Sequence, residues 1–106
     1  MAVSVTIKQH DTKLSFKDTP KIDGVAMLPS DLVGCTLSFL LKSATIAIKT
    51  PAVINADGSF QYDPVPADVA NIDTFQQEWE VVFPSGKILT FPNTEYNSVK
   101  IIADLG

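Results

Sequence analysis

A chain of 106 residues, 45% hydrophobic and 19% charged, has the size and mixture of one globular domain spanning residues 1–106 and excludes a disordered tail. Its net charge is −4 and all 8 basic residues are lysine, which opposes nucleic-acid binding, where arginine forks and clustered positive charge supply phosphate affinity. The single cysteine, Cys35, excludes an internal disulfide.

Nothing marks an oxidising compartment, so reducing cytoplasm is the mild preference. The start, MAVSVTIKQHDTKL, carries no charged leader before an apolar run. No window reaches the roughly 18 apolar residues of a membrane span. Neither secretion nor a membrane partner is expected.

In chain order, Val3, Val5 and Ile7 alternate with Ser4, Thr6 and Lys8, the period of a half-buried strand. Leu14 and Phe16 continue it after a polar break. From Asp18 to Gly34 the pattern loosens: Pro20, Asp23-Gly24 and Pro29 supply turn chemistry around one weak strand, Val25 to Leu28. CTLSFLLK then sends Leu37, Phe39 and Leu41 to one side of a strand. Thr45 to Lys49 and Ala52 to Ile54 are short β-rich pieces. Pro51 between them cannot donate to a ladder, which predicts a sheet edge or a crossing between sheets.

Asn55-Ala56-Asp57-Gly58 reads as a turn closing a hairpin from Ala52 to Tyr62. The segment PVPADVANIDTF allows one short helical turn within Ala67 to Ile72. The end, NSVKIIADLG, alternates Val99, Ile101 and Ala103 against Ser98, Lys100 and Ile102, a last strand of the kind that is often central in sandwiches. Seven or eight short strands at regular spacing predict an all-β, antiparallel β-sandwich or small barrel, with the sandwich favoured at this length.

The most informative stretch is EWEVVFPSGKILTFPN, Glu78 to Asn93. If Pro84-Ser85-Gly86 is a three-residue loop with Gly86 in the left-handed position, the register follows. Phe83 faces Lys87, Val82 faces Ile88, Val81 faces Leu89, Glu80 faces Thr90 and Trp79 faces Phe91. Alternation then places Trp79, Val81, Leu89 and Phe91 in the core and Glu78, Glu80 and Thr90 outside. Val82 and Ile88 form an apolar pair on that outer face, read either as ordinary exposure or as a subunit contact.

Few residues carry a signature of chemistry. His10 and Asp11 are adjacent, but no nucleophile motif accompanies them and a polar turn is the better reading. Cys35 has no basic neighbour and reads as a buried structural thiol. Asn55-x-Asp57-Gly58 resembles the centre of a calcium loop, yet Val53 and Pro64 stand where the first and twelfth ligands belong. Glu78 with Glu80 is better read as a solvated face than as an acid–base pair. Asp63, Asp68 and Asp73 lie in a proline-bearing loop where a metal site is disfavoured, and one histidine argues against zinc. Tyr62 and Tyr96 are the candidates for stacking a sugar ring.

Taken in order, IKQHDTKLSF, DLVGCTLSFLLK, NADGSFQYDP, FQQEWEVVFPSGKILTFPN and VKIIADL together resemble the N-terminal domain of the phage baseplate upper protein family. The matching positions are Gln9, Asp11 and Thr12; Asp31, Leu32 and Gly34; and Glu78 through Pro92. The resemblance implies an immunoglobulin-like sandwich serving as a virion structural part of the tail tip or baseplate. It implies oligomerisation, no catalysis and no cofactor, with the chain made in the bacterial host cytoplasm. That family continues into a segment bearing receptor-binding proteins, so the attachment role carries over and the receptor-binding role does not. Candidate assembly contacts are Val82, Ile88, Val25, Met27 and Leu28, with phage tail, baseplate or capsid proteins as partners. Alternatives are a head or tail decoration protein, and a carbohydrate-binding or adhesion module using Tyr62 and Tyr96.

Overall fold

The computed structural model describes residues 4–13, 15–22, 25–91 and 97–103. Among them run β1 (Ser4–Lys8), β2 (Phe16–Asp18), β3 (Lys21–Ile22), β4 (Val25–Ala26), β5 (Thr36–Lys42), β6 (Ala47–Pro51), β7 (Val53–Ile54), β8 (Phe60–Tyr62), β9 (Asp73–Val82), β10 (Ile88–Phe91) and β11 (Asn97–Ile102). The large sheet has the order β1-β11-β9-β5-β6, with β10 also on β9; the small sheet is β2-β8-β7, and β3 with β4 is a separate ribbon. The protein is an all-β, sandwich-like fold, as its alternating pattern predicts.

Aromatic residues from both sheets meet in the core. Trp79 on β9 and Phe91 on β10 face Phe60 of β8, Phe39 on β5 packs edge-on against Trp79 at 5.4 Å, and all four are buried. Phe39 stacks on Tyr62 at 4.4 Å and 17° and tilts against Phe16 at 4.9 Å; both partners belong to the small sheet. Burying a large aromatic is worth roughly 1.5–3 kcal/mol, with further gain from edge and offset contacts, so this cluster is the main bond between the sheets.

The long strand β9 organises the large sheet. Leu37, Phe39 and Leu41 of β5 pair with Val81, Trp79 and Gln77, all pointing inward. On its other edge β9 pairs with β10 through Phe91 opposite Trp79, and with β11 through Asn97 opposite Gln77, so β10 and β11 lie end to end. The hairpin has the predicted register: Ile88 faces Val82, Leu89 faces Val81 and Thr90 faces Glu80. The Phe83 N–H donates to the Lys87 carbonyl at 2.9 Å, and Gly86 takes φ 89°.

Pro51 behaves as its chemistry requires. It ends β6 on the edge of the large sheet, and the chain crosses at Ala52 into β7 of the small sheet. Two short 3-10 turns, Pro29–Leu32 and Pro66–Val69, share a Pro-x-Asp design. In each, the aspartate carboxylate accepts the N–H three residues earlier, Leu28 for Asp31 and Val65 for Asp68, both at 3.0 Å. Proline removes a donor that the turn start would leave unpaired, and the carboxylate satisfies the N–H of the residue just before that proline.

Several details differ from the sequence reading. There are eleven strands among the described residues, because the loose region Asp18 to Gly34 yields the two-residue pair β3 and β4. The helical turn is Pro66–Val69, earlier than Ala67 to Ile72, since Pro66 starts it and Asp68 caps it. β9 begins at Asp73, well before the hairpin. β11 is internal, as a central strand should be, but its partner β1 runs parallel to it. Cys35 is only partly buried, because it precedes β5 at the rim of the core. The readings placed on Val3, Leu14, Asp23-Gly24, Pro92-Asn93 and Tyr96 lie outside the described residues.

Candidate assembly surface

The outer face of the large sheet is built by parity from the same strands that fill the core. Thr36, Val82 and Ile88 form one cross-strand row, and Ser38, Glu80 and Thr90 the next. Leu40 then lies between Glu78 and Lys49, followed by Lys42 beside Gln76 and Ser98. Farther along, Lys100 sits between Thr74 and Thr6, and Ile102 beside Lys8. Ile88 is 61% exposed and Val82 is half-buried, so the sequence-predicted apolar pair stands on this face at one end.

Charge on the face is unevenly satisfied. Lys49 Nζ pairs with Glu80 Oε1 at 3.0 Å, an exposed contact of small energetic worth. The Glu78 carboxylate, by contrast, has no hydrogen-bond or ion-pair partner among the described residues, and partial burial pushes its pKa up. Lys42 and Lys100 likewise have no carboxylate partner among the described residues.

A second apolar area surrounds β4. Val25 and Leu28 are 70% and 62% exposed, whereas Met27 is half-buried and packs on the core. Val33 is more exposed than any of these and lies beside the hairpin turn, because Gly34 approaches Pro84 so closely that a Cβ would stand 3.0 Å from its Cγ. Val25, Met27 and Leu28 are neighbours in the chain at β4, while Val82 and Ile88 stand on the outer face of the large sheet.

Between the sheets, a cleft of about 180 Å³ is lined by Val5, Phe16, Trp79 and Val99, with polar groups at Asp18, Gln77 and Asn97. Asn97 Nδ2 donates to Gln77 Oε1 at 2.7 Å and to Asp18 Oδ2 at 3.3 Å, which ties β11 and β9 to β2 of the opposite sheet. Gln77 and Asn97 are both buried on the inward face, and Trp79 Nε1 is buried without a hydrogen-bond partner among the described residues. Sequence reading missed this polar trio. The signal was present in Phe75, Gln77 and Trp79, whose shared parity puts the amide among aromatics.

Tyr62 lies beside a shallow depression with Pro51, Val53, Asn55 and Asp63. One face of its ring is against Phe39, and its hydroxyl donates to Asp68 Oδ2 at 2.5 Å. Burial, then the Asp68 carboxylate, push its pKa up to about 12. The ring is therefore anchored from two directions, and its partner in the sugar-stacking reading, Tyr96, lies outside the described residues.

The remaining candidates are dispersed. His10 is exposed in the turn after β1 at φ 67°, its N–H donating to the Val69 carbonyl at 2.9 Å. Asp57 accepts the N–H of Ser59 at 3.0 Å and its hydroxyl at 2.6 Å, an Asx turn that holds its carboxyl below the usual range. Asp63 accepts from Ser15 and Gln61, whereas Asp68 serves Val65 and Tyr62. Among the described residues no three His, Cys, Asp or Glu side chains gather as metal ligands. Desolvation raises the Cys35 thiol pKa. No family model matches the chain, and no curated protein matches it.

Proposed function

We propose that this chain is a non-enzymatic structural protein of a phage virion, a tail-tip or baseplate component that docks into a symmetric assembly. The observation that carries the reading is the hairpin of β9 and β10. Its Gly-Lys-x-x-Thr-Phe-Pro ending resembles the baseplate upper protein pattern, and its outer face leaves Val82 with Ile88 uncovered on a rigid ladder. Symmetric assembly repeats one contact many times, so a modest apolar pair with a few charges suffices for each contact. The two-sheet arrangement is compatible with the immunoglobulin-like form that the resemblance implies.

Immunogold labelling tests the proposal. Antibody raised against the purified chain is applied to virions from cells in which the gene is expressed. Gold is expected at the tail tip. Gold on the head would favour decoration, and virions free of gold would remove the assembly role.

A further inference from the structure

The outer face of the large sheet separates its unpaired charges along the strands. Glu78 on β9 lies toward the Ile88 end, beside Glu80 that Lys49 of β6 already pairs, whereas Lys42 on β5 and Lys100 on β11 lie toward the Ile102 end. Glu78 is half-buried with no partner, and both lysines also lack a carboxylate, among the described residues. An unpaired carboxylate on a half-buried sheet face is a poor arrangement for an isolated monomer, since desolvation disfavours its charge with no compensating cation. The apolar side chains Ile88 and Ile102 stand at opposite ends of the same strand line, because β10 and β11 lie end to end along β9.

The geometry points to a second copy of this chain as the occupant of that face, seated face to face across a two-fold axis lying in the interface plane and crossing the strands. The assignment deepens the assembly reading and rests on it. With the axis between the Glu78 and Lys42 rows, each row of one copy meets a different row of its mate. Glu78 lies over Gln76 of the second copy and reaches Lys42 on the next strand, Glu80, shared with its own Lys49, lies over Thr74 and reaches Lys100 beside it, and Ile88 meets Ile102. Every contact occurs twice, as an isologous interface requires. Aligned packing at about 30° brings two sheets within about 10 Å, a distance that paired Glu and Lys side chains span. Five strands at about 4.8 Å spacing give a patch on the order of 700 Å², near the roughly 800 Å² per partner of a standard interface. The opposite alignment, row over identical row, would set Glu78 near Glu78 and Lys42 near Lys42, which like-charge repulsion disfavours.

Sedimentation equilibrium of two surface variants tests the assignment. One carries Glu78→Lys with Glu80→Lys, and the other Lys42→Glu with Lys100→Glu. The wild type is expected to dimerise at micromolar to millimolar concentration. Each variant alone is expected to lose at least tenfold in dimer affinity, whereas an equimolar mixture recovers it as a heterodimer, because every cross-contact is again between opposite charges. Circular dichroism reports that both variants remain folded. A wild type that stays monomeric at 1 mM, variants that dimerise as the wild type does, or a mixture that stays monomeric would each overturn the assignment. Virion labelling is independent of these readings, so gold at the tail tip with a monomeric wild type would sink the dimer alone.

Discussion

Trp79 stands directly opposite Phe91 in the ladder of β9 and β10, and Phe60 of the small sheet touches both rings, at centroid separations of 5.8 and 6.0 Å. One side chain from the small sheet thus holds the hairpin of the large one. Phe60→Ala is expected to destabilise the fold by about 3–5 kcal/mol, the range for removing a buried aromatic. Urea unfolding followed by Trp79 fluorescence measures it. A loss below about 1 kcal/mol would mean that other contacts hold the sheets together.

The two Pro-x-Asp turns offer a controlled comparison. Asp68 is buried and accepts from both the Val65 N–H and the Tyr62 hydroxyl, whereas Asp31 is exposed and accepts from Leu28. Asp68→Ala is expected to cost about 2–3 kcal/mol, because two groups lose a charged acceptor. Asp31→Ala should cost about 0.5–1 kcal/mol, the value of one exposed cap. Equal losses in denaturant midpoint would show that burial does not separate them.

The Tyr62 hydroxyl, pushed up to about 12, keeps its proton where an ordinary tyrosine near 10 has lost it. The folded state binds that proton more tightly than the unfolded state does. The associated stability is therefore complete below pH 10 and is lost as pH rises through 12. Absorbance near 295 nm should show one tyrosine ionising late in the native protein, and Tyr62→Phe should remove that late phase. Two tyrosines titrating together near pH 10 before unfolding would contradict the expectation.

Gly86 and Gly34 both have positive φ, 89° and 78°, but differ in surroundings. A Cβ at Gly86 meets nothing within 4 Å, so Gly86→Ala should cost only the left-handed strain, about 1–2 kcal/mol. Gly34→Ala adds the approach to Pro84 Cγ at 3.0 Å and should cost more. In a Pro84→Ala background the excess should shrink, a coupling that a double-mutant cycle reads directly. Additive losses would show that Pro84 is not the obstacle.

Local patterns were legible in the sequence to the extent that one strand and its turn determine them. Pro84-Ser85-Gly86 defined the hairpin register, and parity defined which of Trp79, Val81 and Phe91 are buried. Pro51, lacking an N–H, announced the crossing between sheets. Relations between distant strands were not legible. Nothing near Val5 or Val99 encodes that β1 and β11 run parallel, and nothing near Asp18 foretells Asn97 as its partner. The Asp68 interaction with Tyr62 was hidden for the same reason: each residue satisfies local turn or strand rules, and only the fold brings them together. Of the candidate surface, the Val82–Ile88 pair was readable, while its continuation to Lys42 and Lys100 needed the sheet order.

The parallel ladder of β1 with β11 also orders events during synthesis. Among the described strands β1 leaves the ribosome before its one ladder partner there, β11, so it must wait until β2 to β10 have emerged. Closing so long a loop is entropically slow, and topologies dominated by such contacts fold late. A ribosome stalled before β11 would therefore display β1 as an open strand edge. Emergence of β11, rather than the growth of any internal hairpin, closes that side of the sheet.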